Sequence, residues 1–179
     1  MENFNLNSIW QGCQAQDKKS QALLYNYFSK KMFAVCLRYA QTTLEAQDVL
    51  QNGFIKVFTK HHQYDGKGSL EGWIKRIIVN TAIENYRNNK NKYTDTIELH
   101  HENTMHSYFY SDTTSYKDLL NIIKELPLGY RTVFNLYAIE GYSHKEIAEM
   151  LGISEGSSKS QLSRARQSLQ QRLIKENAI

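Results

Sequence analysis

Apolar residues recur at intervals of three and four positions along most of the chain, with polar residues between them. This period is typical of amphipathic helices, and the alternating pattern of a strand does not stand out. A first long helix is predicted to begin with Ser20 as its cap, and a second at Thr42, where Glu45 completes a capping box. Because the 179 residues include a single proline, the chain is predicted to be all-α.

The third predicted helix follows its cap, Ser69, and has two chemically different sides. Apolar residues such as Ile74 and Ile78 cluster on one side. The opposite side carries an outer stripe formed by Arg76, Asn80, Ile83 and Arg87. Arginine can bind phosphates and asparagine can hydrogen-bond a base edge, so the stripe is consistent with nucleic-acid binding. A solvated charged face is the alternative interpretation.

Residues 93–114 are polar and acidic, without a sustained helical period. They are longer than most connections inside a compact domain and are therefore predicted to be a flexible linker. Histidines near acidic residues in this segment make a metal site an alternative, but an acidic tether is favoured. The predicted organisation is an N-terminal extension (1–19), a helical domain (20–92), the linker (93–114) and a second helical domain (115–175).

The segment from residue 141 to residue 173 predicts a helix, a sharp turn and a second helix. Ser143 and Glu146 form a capping box, Gly152 occupies the turn, and Ser154 can cap the second helix. The side of that helix opposite its apolar residues is polar and basic, with Ser157, Lys159, Ser160, Ser163, Arg164 and Arg166. This pattern indicates a DNA-binding helix-turn-helix. A helical hairpin that does not contact DNA remains the alternative.

Composition narrows the possible functions. The formal charge of +4 is only mildly basic, so its distribution matters more than its size. Cys13 and Cys36 fit no metal motif or disulfide framework and are interpreted as buried thiols. We expect a cytoplasmic protein, because no signal peptide and no membrane-spanning stretch is present. No catalytic constellation is found, so neither enzyme activity nor a cofactor or metal is expected.

Three stretches together resemble one family. They are EAQDVLQNGFIKVF (Glu45–Phe58), WIKRIIVNTAIENYRNNK (Trp73–Lys90) and the helix-turn-helix segment from Glu125 to Arg166. Their order and spacing resemble bacterial sigma factors of the extracytoplasmic-function (ECF) group, which keep sigma regions 2 and 4. The resemblance covers most of the chain, except for the linker. It implies two helical domains and a role in promoter recognition by RNA polymerase.

The resemblance also implies roles for individual residues. Those expected to face the clamp helices of the largest polymerase subunit are Asp48, Gln51 and Phe54, although periodicity alone places Phe54 in the core. Those expected to bind the −10 element are Tyr64, Lys67 and Ser69 around a flipped base, and Arg76, Asn80 and Arg87 along the freed strand. Those expected to bind the −35 element are Ser157, Lys159, Ser160 and Arg164. The implied partners are core RNA polymerase (clamp helices and flap), promoter DNA and an anti-sigma factor, with no membrane insertion.

The chain departs from the family pattern in its second helix-turn-helix helix. Ser158 occupies a buried phase that is usually apolar, often valine, and Gln161 occupies a position that is often arginine. These two positions put the base preference in doubt. Two other classes of protein remain open: a regulator that binds operator DNA as a dimer, and a helical interaction module that binds no nucleic acid.

Overall fold

The computed structural model describes residues 5–94 and 121–176, and every regular element in these ranges is helical. The prediction of an all-α chain is therefore confirmed. The chain divides into two compact units, Met1–Tyr86 and Arg87–Ile179. The predicted linker, apart from its first two residues, lies outside the described ranges. Within those ranges, no helix is long and apolar enough to cross a membrane.

The first unit begins with a helix that the sequence pattern did not reveal. Its helices are α1 (Leu6–Gln14), α2 (Lys18–Tyr39), α3 (Thr43–Thr59), a 3-10 turn (His61–Gln63) and the start of α4 (Leu70–Thr94). The side chain of Asn5 caps α1 by accepting the backbone N–H groups of Asn7 and Ser8. Ile9, Trp10 and Cys13 are buried, so most of the expected N-terminal extension belongs to the folded unit.

Two predicted helix caps differ in detail from the observed ones. Asp17, rather than Ser20, caps α2: its carboxylate accepts the Ser20 backbone N–H at 2.8 Å and the Ser20 hydroxyl at 2.7 Å. At α3 the Thr42 hydroxyl accepts the Glu45 N–H at 3.1 Å, as predicted. The Glu45 carboxylate instead accepts the N–H of Gln41 at 2.7 Å, so the reciprocal bond is displaced by one residue.

The core of the first unit is apolar and contains residues from each of its long helices. Phe28 and Met32 of α2, Val57 of α3, and Ile74 and Ile78 of α4 are almost completely buried. On α4 the buried positions cover more than half of the circumference. This wide buried face explains why Ile83, predicted as an exposed member of the outer stripe, is only 4% exposed. That prediction is wrong.

The second unit contains the predicted helix-turn-helix. Residues 121–124 are helical, and the elements that follow are α5 (Leu128–Phe134), a π-helical turn (Asn135–Ile139), α6 (His144–Leu151) and α7 (Glu155–Glu176). One cluster of buried residues joins the segment before α5 to α7, and it consists of Ile122, Ile123, Leu126, Ala165 and Leu169. These contacts anchor α7 along one side and leave its other side exposed.

Candidate nucleic-acid interface

The loop between the 3-10 turn and α4 is tied together by its own side chains. The Tyr64 hydroxyl donates to the carbonyl of Gly68 at 2.9 Å, and Asp65 accepts the backbone N–H of Lys67 at 2.9 Å. Ser69 caps α4 as predicted, because its hydroxyl accepts the Gly72 N–H at 3.0 Å. Gly66 and Gly68 adopt left-handed backbone angles, with φ of 75° and 85°. The loop thus has a defined conformation while its outer residues remain exposed.

An aromatic cluster formed by Trp10, Tyr64 and Trp73 supports this loop. The ring of Trp10 lies 5.6 Å from that of Tyr64 and 5.5 Å from that of Trp73, both in edge-on orientations. The rings of Tyr64 and Trp73 are 5.5 Å apart. Such aromatic pairs each contribute about 0.5–1.5 kcal/mol beyond their buried area. Neither tryptophan was assigned to the site from the sequence, because Trp10 is distant in the chain and the contact of Trp73 with it forms only on folding.

The outer stripe of α4 keeps its three polar members on the surface. Arg76, Asn80 and Arg87 are exposed, and Glu84, rather than the buried Ile83, lies between Asn80 and Arg87. Glu84 forms an ion pair with Lys56 of α3. A recess beside Asn80 is lined by Lys56, Lys60, Gln63, Ile77, Asn80, Thr81 and Glu84. The stripe therefore adjoins a polar recess that carries two lysines, which periodicity on one helix could not predict.

The residues expected to face polymerase do not share one environment. Asp48 and Gln51 are exposed on α3. Phe54 is 2% exposed, with its ring 4.8 Å from that of Tyr25 and 5.9 Å from that of Phe58. Its expected position on the polymerase-facing surface is therefore wrong, and the core position given by periodicity is correct. The reason is packing, since the α2 and α3 side chains surround this ring.

Large apolar residues are exposed on the face of α3 that carries Asp48 and Gln51. Leu44 is 69% exposed and Ile55 is 59% exposed. They lie four residues before Asp48 and four after Gln51, so the four side chains follow one line along the helix. We call these four residues the α3 stripe. It combines two apolar ends with a polar centre.

The helix-turn-helix has the local geometry that its sequence predicts. Ser143 and Glu146 form a complete capping box, with the Ser143 hydroxyl accepting the Glu146 N–H at 3.3 Å and the Glu146 carboxylate accepting the Ser143 N–H at 2.8 Å. The Ser143 hydroxyl also donates to this carboxylate at 2.7 Å, and the hydrogen bonds from the hydroxyl and from the backbone N–H of Ser143 lower the pKa of Glu146. Gly152 follows α6 with a φ of 64°, the left-handed angle that ends many helices. Ser154 caps the next helix by accepting the Ser157 N–H at 3.0 Å.

The four residues predicted to bind the −35 element occupy the N-terminal half of α7. Lys159, Ser160 and Arg164 are exposed, and Ser157 is half-buried. Several of their polar groups are held within the helix: Lys159 pairs with Glu155 at 2.7 Å, and the Ser160 hydroxyl donates to the Ser157 carbonyl at 3.0 Å. Lys159 is also the main reason why the pKa of Glu155 is lowered.

The two residues that depart from the family pattern have hydrogen-bond partners. Ser158 is fully buried, and its hydroxyl lies 2.9 Å from Nδ1 of His144 on α6. The His144 ring stacks on Tyr137 at 4.6 Å, and the Arg166 guanidinium lies 5.6 Å from the same Tyr137 ring. Gln161 donates to the Ser157 hydroxyl at 3.1 Å. Ser158 therefore replaces an apolar contact between the two helices with a polar one.

The two buried thiols do not resemble reactive cysteines. Burial raises the pKa of Cys13 to about 11, with a smaller contribution from the nearby Asp17 carboxylate, and raises the pKa of Cys36 to about 12. Both thiols are therefore protonated near neutral pH. Among the described residues, no group of His, Cys, Asp and Glu side chains could hold a metal ion.

Comparison with known proteins agrees with this architecture. The family models for sigma-70 region 2 and sigma-70 region 4 match residues 24–92 and 116–169. The chain is 32% identical over 126 residues to RNA polymerase sigma factor SigZ of Bacillus subtilis (strain 168), which covers 70% of this chain and 71% of SigZ. It is 27% identical over 169 residues to the ECF RNA polymerase sigma factor SigW of the same organism, covering 88% of this chain and 90% of SigW.

A solved structure has the same fold. The sigma factor RpoE, crystallised with the anti-sigma factor NepR from Bartonella quintana, superimposes with a TM-score of 0.54 at 21% sequence identity. The match covers 86% of this chain and 96% of RpoE.

These matches define the class of protein: a promoter-specificity subunit of bacterial RNA polymerase. The chain belongs to the sigma-70 family, in its ECF group. It directs RNA polymerase to promoters for transcription initiation, and its partners are core polymerase and promoter DNA. Sigma factors are non-catalytic, so the chain is not an enzyme.

Proposed function

We propose that the two units of this sigma factor bind promoter DNA in two different states, the first unit binding the opened −10 element and the second the closed −35 duplex. The observation that carries this proposal is the order of features from the loop at residues 64–69 along α4. A braced loop, residues 64–69, leads directly into α4, which then exposes Arg76, Asn80 and Arg87. A base held by the loop would leave the following strand beside this stripe.

Opening the −10 element requires a site for an unstacked base. Removing a base from the stack costs a few kcal/mol, and a preformed site offsets part of that cost because it need not be ordered on binding. Lys67 and the backbone of the glycine-rich loop supply polar groups at its edge. Arg76 and Arg87 are suited to the phosphates of the freed strand, and Asn80 to a base edge.

At the −35 element, α7 is suited to the major groove of closed DNA. Its exposed N-terminal half carries Lys159, Ser160 and Arg164, and the N-terminal residues of a recognition helix are those that contact bases. Ser157 lies one turn before Gln161 and accepts a hydrogen bond from its side chain, and we assign both residues to the same surface. The apolar contacts of the opposite side fix the helix to its unit.

Core polymerase is proposed to bind the α3 stripe of Leu44, Asp48, Gln51 and Ile55. The two exposed apolar side chains can be buried by the clamp helices, while Asp48 and Gln51 supply polar contacts that fix orientation. Phe54 would support this surface from beneath, through its ring contacts in the core. The polymerase flap is the proposed partner of the second unit.

An anti-sigma factor is proposed as a further protein partner, since the similar RpoE structure was solved with one. A cytoplasmic location is also proposed, because core polymerase and promoter DNA meet there in bacteria.

Transcription in vitro tests this function. Holoenzyme reconstituted with this chain should first select binding sites from random-sequence double-stranded DNA, and then produce run-off transcripts from the selected sites. The control is the core enzyme alone. A selected sequence that supports no transcript, or no selection at all, would contradict the proposal and favour a regulator or an interaction module.

The polymerase surface is tested by reversing one charge. Asp48→Arg should weaken binding of core polymerase by about tenfold or more, because it places a cation where the interface accommodates an anion. Asp65→Arg, another exposed acidic position in the same unit, is the matched control and should leave core affinity nearly unchanged. Equal losses in the two variants would contradict the assignment of this surface.

A further inference from the structure

Helix α1 forms part of the support for the loop at residues 64–69. It packs on α2 and reaches the 3-10 turn that precedes the loop. Trp10 carries this contact to the loop: its side chain is 7% exposed and meets the rings of both Tyr64 and Trp73. Trp10 thus contacts one residue at the start of the loop and one in the first turn of α4.

The contact continues from Trp10 through the loop itself. The Tyr64 ring is positioned by Trp10, and its hydroxyl crosses the loop to the Gly68 carbonyl. The next residue, Ser69, caps α4, and one turn later the Trp73 ring contacts the Tyr64 ring. Both ends of the loop are therefore anchored on the same three rings. The two left-handed glycines between them have little conformational preference of their own, so these anchors set the shape of the loop.

We propose that Trp10 is a positioning residue for strand opening: from α1, it holds the loop at residues 64–69 in the conformation that receives the unstacked −10 base. The residue itself is buried and does not touch DNA. Its effect is to order the loop before binding, so that the ordering cost is not subtracted from the affinity for the opened strand. This inference rests on the proposed role of the loop and extends it to the N-terminal helix.

The alternative is that Trp10 only stabilises the first unit. Ile9 provides the comparison, because it is the neighbouring buried residue of α1, with 9% exposure, and points to a different side of the helix. A stabilising role predicts that both truncations act in proportion to the stability they remove. A positioning role predicts that loss of Trp10 affects the opened strand selectively.

The experiment uses holoenzyme and a promoter that it has selected from random-sequence DNA. Two probes are taken from that promoter: the single-stranded non-template −10 strand, and the closed −35 duplex. Wild type, Trp10→Ala, Trp10→Phe and Ile9→Ala are compared, each below its measured melting temperature. Affinity for core polymerase is measured in parallel.

Trp10→Ala should weaken binding of the −10 strand by about tenfold, the effect expected when a few mobile residues must be ordered on binding. Core affinity and −35 affinity should stay within about twofold. Trp10→Phe should recover most of the loss because it keeps a ring against Tyr64. Wild-type affinity in Trp10→Ala, or an equal loss in Ile9→Ala, would overturn the inference. A wild-type holoenzyme that selects no promoter would instead overturn the proposed function and remove the basis for the inference.

Discussion

The two proposed DNA-binding surfaces of this sigma factor are constructed in opposite ways. In the first unit a loop is braced from beneath by three aromatic rings, and a recess with two lysines adjoins the exposed Asn80. In the second unit the surface is a single convex helix, α7. Its polar side chains bond to one another, as in the Lys159–Glu155 pair and the Gln161–Ser157 bond.

This difference follows from the state of the DNA that each surface is proposed to bind. An unstacked base has lost its neighbours and needs a concave, ordered site to replace them. A closed duplex keeps its stacking and presents a groove, which a protruding helix can enter. Side chains on such a helix can exchange their bonds within the helix for bonds to DNA, so a rigid brace is unnecessary.

The largest effect is expected from Arg164→Ala in the second unit. An arginine contact to a base is worth about 1–3 kcal/mol, so affinity for the −35 duplex should fall by about fivefold to 150-fold. Binding of the single-stranded −10 probe should be unchanged. Gel-shift titration with the two probes measures both values. If the losses on the two probes are equal, the proposed division of labour between the surfaces is wrong.

Arg166→Ala is the matched control, because it removes the same charge from the same helix. Although the sequence pattern groups the two arginines on one polar side, the Arg166 guanidinium lies near the Tyr137 ring and about 160° around α7 from Arg164. A general electrostatic effect would appear in both variants. A loss of affinity in Arg164→Ala but not in Arg166→Ala would show that Arg164 makes a specific contact.

A smaller effect is expected from Asn80→Ala, and it should fall on the opened −10 element instead of the −35 duplex. Loss of one hydrogen bond, worth about 0.5–1.5 kcal/mol, should reduce the extent of promoter opening by about twofold to twelvefold. Closed-complex affinity should not change, because Asn80 is proposed to meet only the freed strand. Permanganate reactivity measures opening, and a gel shift measures closed binding. Asn88→Ala is the control, since Asn88 is also exposed on α4; matching defects in the two variants would contradict the role of Asn80.

Local sequence signals predicted those features that depend on neighbours in the chain. The capping box at Ser143, the turn at Gly152 and the exposed face of α7 each involve residues within a turn or two of one another. Hydrophobic periodicity also placed Phe54 correctly in the core. The resemblance to the family moved it to the surface, and this was wrong because a family position does not specify how the surrounding helices pack.

Features made by distant residues could not be predicted from the pattern. The burial of Ile83 depends on how much of α4 the rest of the unit covers, which one helix cannot reveal. The cluster of Trp10, Tyr64 and Trp73 joins positions more than fifty residues apart. Helix α1 was missed for a related reason: its apolar face is short, and only the packing against α2 shows that this face is buried.

The smallest effect concerns the contact between α6 and α7. It tests whether the buried Ser158 hydroxyl and the His144 ring stabilise the second unit as an interacting pair. Ser158→Ala should destabilise the second unit by about 0.5–1.5 kcal/mol through loss of the bond to His144. His144→Phe keeps a ring against Tyr137 but leaves the buried hydroxyl unpaired, which costs about 1–3 kcal/mol. The double variant removes both partners, so its destabilisation should be smaller than the sum of the two single effects. Chemical denaturation monitored by a probe in the second unit measures all three, and strictly additive values would show that the contact contributes nothing specific.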